Sequence, residues 1–455
     1  MPDPGTDIVG VSELERLVAN GEIGTIEVVL IDMQGRLQGK RAQGRHFVER
    51  VMSDGTEAQN YLLATDIEMN TVQGYELASW SSGYANLRMR PDLSSLRRLP
   101  WHPESLLVLC DLEDRDGVPL AMSPRQVLRN QLSQLEIHGW TALVGTELEF
   151  LVFRDSYEAA WSEGYRDLTR VSQYGIDYSM LDTRGTGGFL SRLIRSLEGA
   201  GVDIEGVLSE ANLGQHELVL AFTDALRACD NHVVAKFGAK QVAASEGLSL
   251  TFMAKFDSNE GNSCHIHFSL RDLSGRPVFA GTGTHGFSDI MESFLAGQLA
   301  YLPELTLMFA PNVNSYKRFV EGSYAPTAIS WGFDNRTCAL RVVGSGASLR
   351  FEHRLPGGDV NPHLAVSAIV AAGLRGIGEK LSLAEPISGN AYASAMPTVP
   401  TNLREALRLF RESEVASAAF GAEVVNHYSR MAEVELEAFD RSVTDWEKFR
   451  GFERM

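Results

Sequence analysis

Four stretches of this chain carry polar residues at every second position, and the residue types belong to metal and phosphate chemistry. In GTELEFLVF, Glu147 and Glu149 share one face while Leu148 and Phe150 take the other. In LSEANLGQHELVL, Glu210 and Glu217 flank a turn-like ANLGQ, which sets two carboxylates near the two arms of a hairpin. NSCHIHFSL alternates His265, His267 and Ser269 with Cys264, Ile266 and Phe268, and SLRFEHRLP alternates Arg350, Glu352 and Arg354 with Leu349, Phe351 and Leu355. If these strands join in one sheet, the five glutamates and a histidine converge on a common surface. Crowded carboxylates raise one another's pKa, so such a surface demands a positive partner. A divalent cation supplies it: oxygen-rich ligands with a histidine favour Mg²⁺ or Mn²⁺ over zinc and leave positions open for phosphate oxygens. One alternating strand would be an ordinary solvated face; four together argue for a site.

Arginine supplies the second half of that chemistry. Arg318 in NSYKRF, Arg336 and Arg341 in DNRTCALR, and Arg350 and Arg354 are donors suited to phosphate or carboxylate. Grouped beside a glutamate-rich face, they suggest a nucleotide polyphosphate and an acidic substrate held together by metal.

Regular elements must position these groups. EVVLID, the turn MQGR with Gly35, and the returning LQGKRAQ read as a hairpin, preceded by a helix capped at Ser12 with Glu15 three residues on. In AMSPRQVLRNQLSQLEIHG, Ser123 is an N-cap, Pro124 the first helical residue, Leu128, Leu132 and Leu135 the apolar stripe, and Gly139 the stop. Strands then intersperse with helices such as GFLSRLIRSLEGAG and SDIMESFLAGQLAYL, and the chain from about Thr401 is helical. The pattern is α+β: a small N-terminal domain and one large domain that starts near residue 120.

Composition narrows the partners. The 455 residues, 44% hydrophobic and 22% charged, can bury a large core. At roughly 150 residues per domain, length allows about three domains or a small domain beside a large one. The balance of 41 basic against 59 acidic residues, net -18, argues against nucleic acid or anionic lipid as the main partner. No apolar run approaches a membrane span, and the start MPDPGTDIVG has an acidic flank with no apolar run behind it, so the chain reads as unexported. Cys110, Cys229, Cys264 and Cys338 form no C-x-x-C pair, which fits a reducing cytoplasm. GTGTHG at 281–286 matches a dinucleotide fingerprint formally, but the short PVFA before it and the missing βαβ unit make it a loop. Alternation turns Cys264 away from His265, as a buried apolar thiol rather than a nucleophile.

GTELEF, EANLGQHE, GNSCHIHFS, NSYKRF, NRTCALR and RFEHRLPGGDVNPH occur in the order and rough spacing of the glutamine synthetase superfamily, which the chain resembles over nearly its whole length. The resemblance implies an N-terminal β-grasp domain, here 12–113, and a catalytic domain, here 120–455, on a curved antiparallel sheet with surrounding helices. It also implies ring-shaped homo-oligomers, usually dodecamers of two hexameric rings, with each site closed by a neighbour's N-terminal domain. By matching motif, Glu149, Glu210 and Glu217 would ligate one divalent ion and Glu147, His265 and Glu352 the second, with two or three Mg²⁺ or Mn²⁺ in all. His267, Ser269 and Arg350 would hold nucleotide phosphate. Arg318 and Arg354, with the backbone at Gly261, would hold the glutamate carboxylate. Arg336 and Arg341 would serve ATP and the transferred phosphoryl group, and Asp66 in ATDIEMN falls near the acidic residue that binds and deprotonates the amine. The implied reaction makes γ-glutamyl phosphate from L-glutamate and ATP, then a γ-glutamylamide.

Departures from the family pattern concern the amine. The flap EGSYAPT has Tyr324 where glutamine synthetases place a glutamate, and GYANLRMRPD has Asn86 where an aspartate is common. A site for NH₄⁺ should keep both charges, so their loss points to an organic amine. The flap, DMQGRLQGKR, NYLLATDIEMNTV and TDWEKFRGFERM resemble the γ-glutamylamide ligase branch, which implies ethanolamine first and a polyamine or other small amine next. An ammonia-using glutamine synthetase and a non-catalytic structural or regulatory member are the alternatives, the latter disfavoured by the full set of predicted ligands and arginines.

Overall fold

The computed structural model describes residues 8–80, 83–181, 185–259 and 261–455; the first residues of MPDPGTDIVG lie outside them. The fold is α+β and holds two sheets. The first contains β1 (Thr25–Ile31), β2 (Leu37–Gln43), β3 (Thr56–Gln59), β4 (Asn86–Pro91), β5 (Arg97–Arg98) and β6 (Ser105–Glu113), in the order β2-β1-β6-β4-β3 with β5 on β6. The expected hairpin is β1–β2, antiparallel, with Gly35 at φ 74° in its turn. β1 and β6 run parallel at the centre. Both are buried on two faces, which explains their continuous apolar runs. Ile26, Val28, Leu30, Leu106 and Val108 enter a small core of their own, whereas Val29, Ile31, Leu107 and Leu109 face the large core of the molecule.

The helix before β1 spans Val11–Ala19 with Gly10, not Ser12, at its N-cap and no capping side chain. The apolar positions Leu14, Leu17 and Val18 are buried as expected, so the stripe rather than the cap fixes this helix. The Pro124–Ile137 helix begins after Ser123 as expected, and Gly139 follows it at φ 72°.

The second sheet contains β7 (Trp140–Phe153), β8 (Ile204–Ser209), β9 (Gln215–Asp224), β10 (Ser249–Thr251), β11 (Cys264–Asp272), β12 (Trp331–Phe333), β13 (Leu340–Val343) and β14 (Arg350–His353). Its order is β12-β13-β14-β11-β7-β9-β8, with β10 on β7, and every pair is antiparallel except β12–β13. The four alternating stretches are therefore neighbours. Beneath them, Phe268 stacks among Phe279, Phe294 and Phe351, against the Asp289–Phe309 helix. GTGTHG is a loop with a short 3₁₀ turn at Thr284–Gly286. Among the described residues no helix is long and apolar enough to cross a membrane.

A buried charge network ties the first sheet to the large core. Arg125 bonds Asp230 at 2.8 Å, Asp92 at 2.8 Å and Asp111 at 2.6 Å, while His363 Nε2 lies 2.9 Å from Asp230. Arg97, on β5, donates to Asn231 at 3.0 Å.

Candidate active site

Register does the first work of assembly. β11 pairs with β7 so that His265 faces Glu147 and His267 faces Gly145, and with β14 so that His267 faces Glu352. Glu149 faces Glu217 across β7–β9. The ligand atoms of Glu149, Glu210 and Glu217 all lie within 4.8 Å of one another, as do those of Glu147, Glu217 and His265, and those of Glu147, His267 and Glu352. The first trio is the set expected for one ion. The second expected trio is also gathered: His265 Nδ1 lies 3.1 Å from Glu147 and 3.3 Å from Glu352. His267 joins it, with Nε2 2.9 Å from Glu147.

The electrostatics fit a cation. Burial, then the neighbouring Glu147 and Glu149, pushes Glu217 up to about 9, and burial with Glu149 raises Glu210 to about 7. Burial would also raise Glu147, but its hydrogen bonds to His265 and His267 outweigh that and hold it well below the carboxylate range. His265 Nε2 is buried with no hydrogen-bond partner. A carboxylate cluster that must take up protons, beside an unsatisfied imidazole nitrogen, is the donor set a hard divalent ion with one nitrogen ligand would satisfy.

Arginines close one side. Glu352, fully buried, accepts from Arg341 at 2.7 Å and from Arg354 through its other oxygen. Burial would raise the Glu352 carboxyl, but His265 and Arg354 hold it below its usual range. Arg341 also bonds Asp334 at 2.9 Å. Arg350 Nε lies 3.2 Å from His267 Nδ1, and Ser269 is buried on the same strand. Arg354 Nη2 donates to the Tyr324 carbonyl at 3.3 Å, whereas its buried Nε has no partner. Tyr324 is 61% exposed and adopts φ 58°, an uncommon conformation for a residue with a side chain. Arg336 is exposed near Asp334 and Tyr178.

Three expected residues are positioned differently from the rest. Arg318 is 2% exposed and spends its guanidinium on Ser263 Oγ at 3.0 Å and on the carbonyls of Leu355 and Pro356. It is a strut under the loop that bears Gly261, where a Cβ would stand 2.7 Å from Arg318 Cγ. Asp66 lies outside its own chain's cluster: it accepts from Asn70 at 2.9 Å and lines a separate cavity with Glu435, Met431 and Lys236. Asn86 is likewise distant, at the β4 end, bonded to Glu57 at 2.7 Å.

Beside the carboxylates opens a cavity of about 440 Å³ lined by Glu147, Glu205, Phe222, His267, Ser269, Ser348 and Arg350. Phe222 and Glu205 carry no signal in the motifs. A β-bulge between β7 and β9 inserts one residue before Thr223, which brings Phe222 to the face of Glu217 and leaves it 63% exposed. Strict period-2 counting sends it to the core. Gln215, visible inside EANLGQHE, is also a site residue by geometry: its Nε2 lies 3.0 Å from Glu149 and 2.8 Å from the Gly261 carbonyl.

A family model described as glutamine synthetase, catalytic domain, matches residues 121–450. The chain is 56% identical over 450 residues to a γ-glutamylethanolamide synthetase of Streptomyces coelicolor, covering 99% of this chain and 97% of that protein. It is 38% identical to a glutamate–isopropylamine ligase of a Pseudomonas species, covering 94% and 95% respectively. The solved structure of GmaS with ADP matches with a TM-score of 0.85 at 26% identity, covering 96% of this chain and 99% of that one. Sheet order, carboxylate geometry and sequence thus lead to one assignment: the chain belongs to the glutamine synthetase family.

Proposed function

We propose that the protein is an ATP-dependent ligase that joins the γ-carboxylate of L-glutamate to a small organic amine, with ethanolamine as the preferred amine. The observation that carries this reading is the carboxylate–imidazole cluster, flanked on one side by Arg341 and Arg354 and on the other by the Phe222–Arg350 cavity. ATP would occupy that cavity, its base near the exposed Phe222 ring and its phosphates towards His267, Ser269 and Arg350. Glu149, Glu210 and Glu217 would hold one divalent cation and Glu147, His265 and Glu352 another. Bound there, Mg²⁺ or Mn²⁺ would neutralise charge on the phosphoryl oxygens.

In the first step a γ-carboxylate oxygen attacks the γ-phosphorus of ATP, the β–γ bridging bond breaks, and ADP leaves. Arg341 and Arg336 stabilise the spreading negative charge, and Arg354 with the Gly261 backbone orients glutamate, over the loop that Arg318 braces. In the second step the amine nitrogen attacks the acyl carbon, the bond to phosphate breaks, and the nitrogen gives up its proton to the carboxylate of Asp66 from a neighbouring subunit. Activation is needed because a carboxylate is a poor electrophile, whereas an acyl phosphate carries a good leaving group.

The amine follows from Tyr324 and Asn86, where charges suited to ammonium are replaced, and from the γ-glutamylethanolamide synthetase likeness. Asp66 and Asn86 lie outside their own chain's cluster, which is what sites shared between subunits require. A homododecamer of two hexameric rings, working in the cytoplasm, is the assembly proposed. The same reading divides the chain into a β-grasp domain over 12–113 and a catalytic domain over 120–455, supported by the separate small core around Ile26 and Leu106. Phosphate release from ATP and L-glutamate, measured across ammonia, ethanolamine, short alkylamines, aniline, putrescine and spermidine, tests the substrate. The highest kcat/KM is expected for ethanolamine; a preference for ammonia over every organic amine would overturn the reading. Light scattering tests the ring, and a fully active monomer would refute a shared site.

A further inference from the structure

Gln215 occupies the seam between the cation cluster and the loop assigned to glutamate, and its hydrogen bonds outnumber its hydrogens. The side chain is 2% exposed at the start of β9. Its Nε2 lies 3.0 Å from Glu149 Oε2, 2.8 Å from the Gly261 carbonyl and 3.0 Å from Asn262 Oδ1. Its Oε1 accepts from the Asn212 backbone at 3.3 Å, so the amide is held with its nitrogen towards these three acceptors. A primary amide has two N–H groups, so at most two of the three acceptors are well served at once. All three belong to buried or nearly buried groups, where an unserved acceptor is costly.

The same carboxylate oxygen accepts from the Ser263 backbone N–H at 2.7 Å, and Asn262 is fixed by donation to the Met253 carbonyl at 2.9 Å. Glu149 and the 261–263 segment are therefore joined by a short set of bonds in which, among the described residues, Gln215 is the only side-chain donor to both. A positive charge placed on Glu149 weakens its claim on an N–H and releases that donor towards Gly261 and Asn262. Conversely, a ligand that engages the Gly261 segment changes what is left for Glu149.

We propose that Gln215 is a positioning residue that couples cation binding at Glu149 to glutamate binding at the Gly261–Asn262 segment. This rests on the reading of Glu149 as a cation ligand and of Gly261 as part of the glutamate site. Occupancy of either site orders the shared amide for the other, and linkage requires the coupling to be equal in both directions.

Mn²⁺ binding to the full-length protein, followed by the signal of free Mn²⁺ in electron paramagnetic resonance with and without saturating L-glutamate and no ATP, reads the coupling directly. In the unaltered protein glutamate should tighten Mn²⁺ about tenfold, within the ordinary range of coupling between sites. In Gln215→Met, of similar length but without N–H donors, the ratio should fall below about twofold. Gln215→Asn, which keeps the amide but cannot span the three acceptors, should fall likewise and decides the matter if the methionine variant does not fold. A folded variant that keeps the full ratio overturns the proposal, as does unaltered protein that binds Mn²⁺ with no response to glutamate. Unaltered protein that binds no Mn²⁺ would instead overturn the metal reading beneath it.

Discussion

Arg341 Nη1 lies 2.7 Å from Glu352 Oε2, so a guanidinium assigned to phosphoryl transfer and a carboxylate assigned to a cation are direct partners. Arg354 takes the other oxygen. One buried carboxylate thereby balances two arginines, and binding a cation at Glu352 would free both guanidinium groups towards anionic substrates.

Glu352→Gln should keep the fold yet lower ATP-dependent phosphate release by about 100-fold or more, since on the proposed reading it removes a cation ligand and disorients Arg341, assigned to the phosphoryl group, and Arg354, assigned to glutamate. Circular dichroism and phosphate release measured together check this; normal turnover would remove Glu352 from the site. Leaving the buried Arg354 without its counter-charge, while Arg341 keeps Asp334, should also destabilise the chain by about 3–5 kcal/mol.

Cation affinity should rise with pH. Glu217, raised to about 9, and Glu210, near 7, hold protons at neutral pH that a cation must displace. Titration calorimetry of Mg²⁺ in buffers of different ionisation enthalpy should detect about one to two protons released at pH 7 when the cluster is filled. Affinity unchanged between pH 6 and 9, without proton release, would contradict the cluster's role.

Tyr324→Glu should shift preference towards ammonium by restoring a negative charge to the flap. The ratio of kcat/KM for ethanolamine to that for ammonium should fall about tenfold or more. An unaltered amine ranking would take Tyr324 out of the specificity argument.

Asp230→Asn should cost about 1–3 kcal/mol in urea unfolding, because it removes the most buried of the three carboxylates on Arg125 and the charged partner of His363, while Asp92 and Asp111 stay paired with Arg125. Burial alone would raise the Asp230 carboxyl, but Arg125 and His363 outweigh it and hold the group well below its usual range. With the folded pKa depressed, its contribution is complete above the unfolded value near 4 and is lost as pH falls towards the folded one. The asparagine variant should lose that part of the acid dependence; an identical acid limb would exclude Asp230 as its source.

Much of the site was legible because strand alternation is a local property: Glu147 and Glu149, or His265 and His267, declare their shared face within a few residues. Their convergence needed only that four strands be adjacent. What escaped was non-local. The bulge that turns Phe222 outward arises from pairing between β7 and β9, and no motif encodes it. Arg318 reads as a ligand-facing donor, yet the carbonyls of Leu355 and Pro356, brought to it by folding, absorb its hydrogens. Ser12 has the right chemistry for a cap one residue inside the helix, where Gly10 already begins it.

The pairing of His265 with Glu147 has an evolutionary consequence. The strand that turns His265 and His267 towards the carboxylate cluster turns Ile266 and Phe268 into the core, and no shift along β7 can alter one set without the other. Selection on chemistry is then also selection on packing, and if the flap sets the amine as proposed, that preference can change far more freely than this strand can. Diversity within such a family should accumulate around Tyr324, while β11 changes hardly at all.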